Sequence, residues 1–170
     1  MKFNPSINIE LNSTDELHYI PTPNARSVIG NIVDSFNSGI HSFNIIGSYG
    51  TGKSSFILAL EKNLAENTDI LFHNRGQFNG YKKFHFLNIV GDYAPMISLI
   101  NRKLGYADGI DAKNFFDSFQ SYCDDIGCQN KFLFIMIDEF GKILEYAAKN
   151  NPERELYFLQ KFSVIFCKPS

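Results

Sequence analysis

Apolar positions along the chain alternate between helical and extended spacing. Over 25–37, Val28, Ile29, Ile32, Val33 and Phe36 fall on one helical face and Gly39 follows as a stop signal. Residues 43–46 are a short apolar run that predicts a strand, and over 54–66 Phe56, Leu60 and Leu64 line up on a second helix. Residues 84–90 predict another strand, ending at Gly91-Asp92-Tyr93. Pro95 suits the first position of a helix carrying Met96, Ile97, Ile100 and Leu104 and closed by Gly105. Asp111 can cap the next helix, whose Phe115, Phe116, Phe119, Tyr122, Cys123 and Ile126 form one stripe that ends at Gly127 and reads as core. The run 131–137, Lys-Phe-Leu-Phe-Ile-Met-Ile, has the continuous apolar character of a strand buried on both faces. Helical signals return over 140–149 and again from Pro152. In that last segment Leu156, Leu159, Phe162 and Phe166 keep helical spacing, which favours helix over an alternative strand at 163–167. Tyr157, Phe158, Val164 and Ile165 are apolar too, so this helix expects burial on all sides. Strands separated by helices predict an α/β fold with a parallel sheet.

Two stretches stand outside this pattern. Residues 1–24 are polar and irregular and form an N-terminal extended segment ahead of the core at 25–170. Within it Leu17-His18-Tyr19-Ile20-Pro21-Thr22-Pro23 reads as an extended connector, suited either to lining an adenine pocket or to strapping a sheet edge. The link 67–83 sets Arg75, Lys82 and Lys83 among Phe78, Tyr81 and Phe84. Such interleaving can touch nucleic acid, but so few charges fit a solvated loop better.

Composition narrows the class. A chain of 170 residues with 44% apolar and 20% charged residues describes one soluble globular domain. A net charge of −2 argues against a broad basic face for nucleic acid. Cys123, Cys128 and Cys167 fit reduced thiols, and His18, His41, His73 and His85 are scattered singly, with no metal-ligand clustering. The start of the chain lacks the apolar run of a signal peptide and no segment approaches a membrane span, so a cytoplasmic location is expected.

The chemistry concentrates in two places. Gly47-Ser48-Tyr49-Gly50-Thr51-Gly52-Lys53-Ser54 matches G-x-x-x-x-G-K-[ST], between an apolar run and a helix. Glycines let the backbone fold around an anion with its N–H groups inward, and the helix start adds positive partial charge. Residues 47–55, Ser55 included, are the candidate nucleotide-binding residues; Lys53 would reach terminal phosphates and the Ser54 hydroxyl would ligate Mg²⁺. The second place is Asp138-Glu139, at the end of the buried strand and so at the carboxyl edge of the sheet, where α/β ligands bind. Asp138 would hold Mg²⁺ and Glu139 would orient a water on the γ-phosphate. The plain alternatives are a glycine turn with a surface lysine, and a helix start that favours negative charge. Both halves of one mechanism appearing together weigh against those alternatives.

The phosphate loop and the strand ending in Asp138-Glu139 resemble the AAA+ and STAND group of P-loop ATPases over residues 20–150. The string Asp138-Glu139-Phe140-Gly141-Lys142-Ile143-Leu144-Glu145 is similar to large bacterial ATP-binding proteins of that group, some encoded among phage-defence genes. The resemblance implies a three-layer P-loop NTPase fold, ATP and Mg²⁺ as ligands, Lys53, Ser54, Asp138 and Glu139 in the roles above, and hydrolysis driving a conformational change. It also implies a later strand between the phosphate-loop strand and the Asp138 strand, with a polar sensor residue at its tip. Only 31 residues follow Glu139, so the expectation is an incomplete sheet, the amino-terminal portion of a larger ATPase, weak isolated activity and dependence on a protein partner. Arg26, Arg75, Arg102 and Arg154 are open candidates for an arginine finger. Contact with DNA follows from the analogy alone. Two other functions share the loop: a small-molecule or nucleotide kinase, and a nucleotide-binding switch that does not hydrolyse.

Overall fold

The computed structural model describes residues 7–11, 17–66, 68–73, 78–106 and 112–165. These form α1 (Pro23–Asn37), α2 (Lys53–Ala65), β1 (Phe84–Val90), α3 (Met96–Leu104), α4 (Ala112–Cys128), β2 (Phe132–Asp138), α5 (Phe140–Lys149) and α6 (Pro152–Ile165). β1 and β2 pair in parallel, in register from Phe84 opposite Phe132 to Val90 opposite Asp138. A parallel pair needs a long crossover, and α3 and α4 supply it. The molecule is therefore α/β, as the pattern predicts, with a sheet of two strands among the described residues.

Side chains alternate across a strand, so the pair separates two cores. Phe84, Phe86, Phe132, Phe134 and Met136 pack with α1 and α2. Leu87, Ile89, Leu133, Ile135 and Ile137 pack with α3, α4, α5 and α6. Phe78 sits at the centre of the first core, edge-on to Phe36, Phe84 and Phe134 at 5.1–6.2 Å. Phe115 anchors the second, stacked on Phe119 at 5.5 Å and against Phe158 at 5.2 Å. The phenylalanine stripe of α4 is core, as expected.

Several expectations need correction. Residues 43–46 are not a strand: Phe43 and Ile46 are exposed, and no backbone hydrogen bond reaches these residues among those described. An isolated extended segment has no ladder to join, and neither β1 nor β2 takes it as a neighbour. For the same reason β2 is mostly half-buried instead of buried on both faces, since each strand of a two-stranded sheet is an edge. α1 begins two residues earlier than the pattern suggests: Thr22 caps it by accepting the Ala25 N–H at 3.1 Å, and Pro23 takes a first-turn position, where its missing N–H costs nothing. α4 runs through Gly127 to Cys128. α6 is helical as the spacing favours, but it buries Phe158 and Phe162 and leaves Leu156 and Tyr157 exposed. Phe166 and Cys167, with Asp111 and Arg75, lie outside the described residues.

The two irregular stretches also resolve. Leu17 and Tyr19 pack against the first core while Ile20 is 89% exposed. The free edge of β1 is covered by residues 8–10: Ile9 is fully buried, its carbonyl accepts from the Asn88 amide at 3.2 Å, and the Glu10 carboxylate accepts the Val90 N–H at 3.1 Å. In the link, Phe78 is core and Tyr81 leans on Phe132 with ring centroids 4.9 Å apart. Packing occupies Phe78, while Tyr81 is 37% exposed. Among the described residues no helix is long and apolar enough to cross a membrane.

Candidate functional site

The phosphate-loop residues form a tight turn leading into α2. Gly50 and Gly52 have φ of 78° and 82°, values that favour glycine, and Gly52 is the N-cap residue. The Thr51 hydroxyl donates to the Ser48 carbonyl at 2.8 Å. Lys53 folds back over the turn and donates from Nζ to the Gly47 and Ser48 carbonyls, both at 2.8 Å. The ammonium is thus held over the loop by neutral acceptors, with no carboxylate paired to it among the described residues. Gly52 has no side chain to take up the first-turn amides of α2, which leaves that helix start open to an anion. Ser54 and Ser55 are half-buried there, and Tyr49 is exposed.

α2 connects this turn to the sheet. Glu61 accepts from the Asn88 amide at 2.7 Å, near the carboxyl end of β1. Two residues further on, Asn63 holds the Leu71 and Phe72 N–H groups at 2.7 and 3.3 Å. Phe72 leads through Phe78 to Phe84, the first residue of β1, with successive ring centroids 6.2 Å apart. α2 is therefore bonded to β1 through Glu61 and to the 71–72 backbone through Asn63. Lys53, eight residues before Glu61, stands roughly 12 Å from it along the helix axis.

The acidic pair lies at the carboxyl edge of the sheet. Asp138 ends β2, and its carbonyl accepts the Gly91 N–H at 2.8 Å. Its Oδ1 accepts the Glu139 N–H at 2.9 Å, which turns the carboxylate and leaves Oδ2 without a hydrogen bond among the described residues. Glu139 is the N-cap residue of α5, with φ 54° and ψ 31°. The other positive-φ non-glycine residues among those described, Asn79, Asn130 and Asn151, are all asparagine, the residue that tolerates this region best. A glutamate there carries strain of about 1 kcal/mol, a pattern found where function over-determines the backbone. The Glu139 carboxylate is 3.6 Å from Lys142 Nζ, an exposed pair one helical turn long. No hydrogen bond or ion pair joins the loop to Asp138 or Glu139 among the described residues.

Other titratable groups lie elsewhere. His85 and Tyr122 share a hydrogen bond at 2.9 Å near the amino end of β1. Burial, then the Lys131 charge, lowers the His85 pKa, and burial raises that of Tyr122. Burial, with Asp124 nearby, pushes the Cys123 thiol up to about 11, the behaviour of an inert structural cysteine. Arg26 donates to the Leu71 carbonyl at 3.1 Å, so it tethers α1 to the link. Arg102 and Arg154 are exposed. A cleft of about 310 Å³ lies between Val28, Ile32 and Ser35 of α1 and residues 43–46, and none of its lining belongs to the loop or the acidic pair.

The pattern did not single out Gly91 or the Asn88–Glu61 pair. Gly91 follows a strand and is visible as a break, but its contact with Glu139 is long-range and leaves no mark on spacing. Neither protein-family models, nor curated proteins, nor solved structures match this chain.

Proposed function

We propose that this chain is the Mg²⁺-dependent ATP-binding domain of an ATPase whose hydrolysis drives a conformational change, built on a P-loop NTPase core. What supports the reading is that α2, whose open start carries Lys53, is bonded to β1 through Glu61 and Asn88, while Asp138 and Glu139 stand where β1 and β2 end together. The first-turn amides of α2 at residues 53–55 and the Lys53 ammonium suit phosphate oxygens. Ser54 and the free Oδ2 of Asp138 suit the hard, oxygen-seeking Mg²⁺ ion, which when bound supplies charge neutralisation on the phosphates. Glu139 holds the water and accepts its proton, and its carboxylate must leave Lys142 to do so.

A further strand belongs between residues 43–46 and β2. The unpaired backbone at 43–46 and the free edge of β2 support this, and the strand would come from a further part of a larger ATPase or from a protein partner. A role at DNA rests on the family resemblance alone.

The test is calorimetry with Mg-ATP, alongside phosphate release, for Lys53→Ala and Glu139→Gln. Removing the Lys53 charge-assisted contacts lowers affinity by about 10–100-fold. Glu139→Gln keeps affinity and loses turnover. Unaltered affinity in Lys53→Ala refutes the site. Tight binding with no turnover in the wild type, even with partner present, selects the non-hydrolysing switch.

A further inference from the structure

β1 and β2 end together, Val90 opposite Asp138, so the next residues, Gly91 and Glu139, meet where the ladder stops. Gly91 is buried and donates its N–H to the Asp138 carbonyl at 2.8 Å. A Cβ placed on Gly91 would lie 2.5 Å from the Glu139 carbonyl oxygen, 2.9 Å from the Glu139 carbonyl carbon and 3.1 Å from the Asp138 carbonyl oxygen. All three are backbone atoms, so none can swing aside as a side chain would. Gly91 is not among the positive-φ glycines, so space and not backbone conformation demands glycine here. The crowded carbonyl also accepts the Lys142 N–H at 3.0 Å and opens α5.

We propose that Gly91 is a positioning residue for the acidic pair: its missing side chain lets the end of β1 press on the Glu139 peptide. That contact keeps Glu139 in its left-handed backbone and sets the direction of both carboxylates. Moving the Glu139 carbonyl rotates the peptide that starts α5 and pulls on the Glu139 N–H that orients Asp138 Oδ1. Gly141, two residues beyond Glu139, is the control, because nothing lies within 4 Å of a Cβ there.

The inference rests on the nucleotide reading, and the experiment separates the two. Wild type, Gly91→Ala and Gly141→Ala of the full chain are compared for thermal melting, ATP affinity in EDTA, ATP affinity with Mg²⁺, and phosphate release. Gly91→Ala is expected to bind metal-free ATP like the wild type. It should lose most of the Mg²⁺-dependent gain and drop phosphate release by about 10²-fold, the scale of a displacement of roughly 1 Å in a catalytic group. Gly141→Ala should match the wild type in binding and phosphate release, with a melting temperature equal or slightly raised, because alanine suits a helix better than glycine. If Gly91→Ala keeps the full metal gain and turnover, the positioning role is wrong while the nucleotide site stands. If it loses metal-free binding along with its melting transition, Gly91 is a folding requirement and the proposal fails. A wild type that binds no ATP overturns both readings.

Discussion

Glu139 offers a way to measure strain separately from chemistry. Glu139→Asn and Glu139→Gln both delete the carboxylate, the exposed ion pair with Lys142 and the favourable negative charge at the start of α5. Those losses are small and nearly equal, about 0.3–1 kcal/mol for the charge at the helix start and less for the surface pair. What differs is the backbone. Glutamine keeps the mismatch between a long side chain and φ 54°, whereas asparagine enters that region readily, as it does at Asn79, Asn130 and Asn151. The left-handed penalty is about 1–2 kcal/mol, and asparagine should recover roughly half of it, so Glu139→Asn is expected to be more stable than Glu139→Gln by about 0.5–1 kcal/mol. For a chain of this size that separates the melting temperatures by about 1–4 °C. Urea unfolding of the two variants side by side gives the free-energy difference directly, with equal slopes as the check that only stability has changed. Equal midpoints would show that Glu139 is unstrained, and the case for a backbone set by function would go with it.

Two further outcomes follow from groups away from the site. The His85 pKa is lowered in the fold by burial and by Lys131, so the unfolded chain binds the proton more readily; stability is fully present above the ordinary histidine pKa, near 6.5, and falls as pH drops through the folded value. Melting temperature should therefore decline on acidification below about pH 6.5, and His85→Asn should flatten that part of the profile; an unchanged slope would mean that His85 is not the group titrating. With the Cys123 thiol raised to about 11 and half-buried, and Cys128 exposed, iodoacetamide at mildly alkaline pH should label Cys128 well before Cys123 in a Cys167→Ser background, and peptide mapping that finds Cys123 labelled first would contradict that burial.

Periodicity carried most of the fold because most of it is local. The faces of α1, α3 and α4 and both β strands follow from residues a few positions apart, and Gly105 ends α3 in the left-handed region as its position suggests. Residues 43–46 failed for a different reason. Their apolar run has strand character, but a strand exists only with a neighbour, and pairing cannot be read from the segment itself. α6 shows the same limit: a helix with apolar residues on several faces does not announce its buried face, and packing on Phe115 and Phe116 chose Phe158 over Leu156. At the site, residue types and their places at element ends were legible in the motifs. The left-handed Glu139, the turned Asp138 carboxylate and the close approach of Gly91 were not, because each depends on where β1 ends relative to β2.

β1 carries neither motif, yet it bonds to α2 and pairs with β2, the elements next to both. Asn88 reaches α2 through Glu61 and the N-terminal segment through the Ile9 carbonyl, so the helix that begins at Lys53 is tied to this strand. Glu10 accepts the Val90 N–H and lies 3.6 Å from Lys103 of α3, which fixes the strand end from the other side. Gly91 then meets Asp138 and Glu139. The tie has a cost: Asn88 is 7% exposed and its Oδ1 has no hydrogen-bond partner among the described residues, a deficit of about 1–3 kcal/mol that an apolar residue would avoid. An apolar side chain, however, would leave the Ile9 carbonyl and the Glu61 carboxylate without these donors and would free α2 to slide against the strand. α2, which starts at Lys53, and β2, which ends at Asp138, are thus both anchored on β1. For the proposed nucleotide this anchoring would limit backbone rearrangement, while the Lys53 ammonium and the Glu139 carboxylate would still have to leave their present partners.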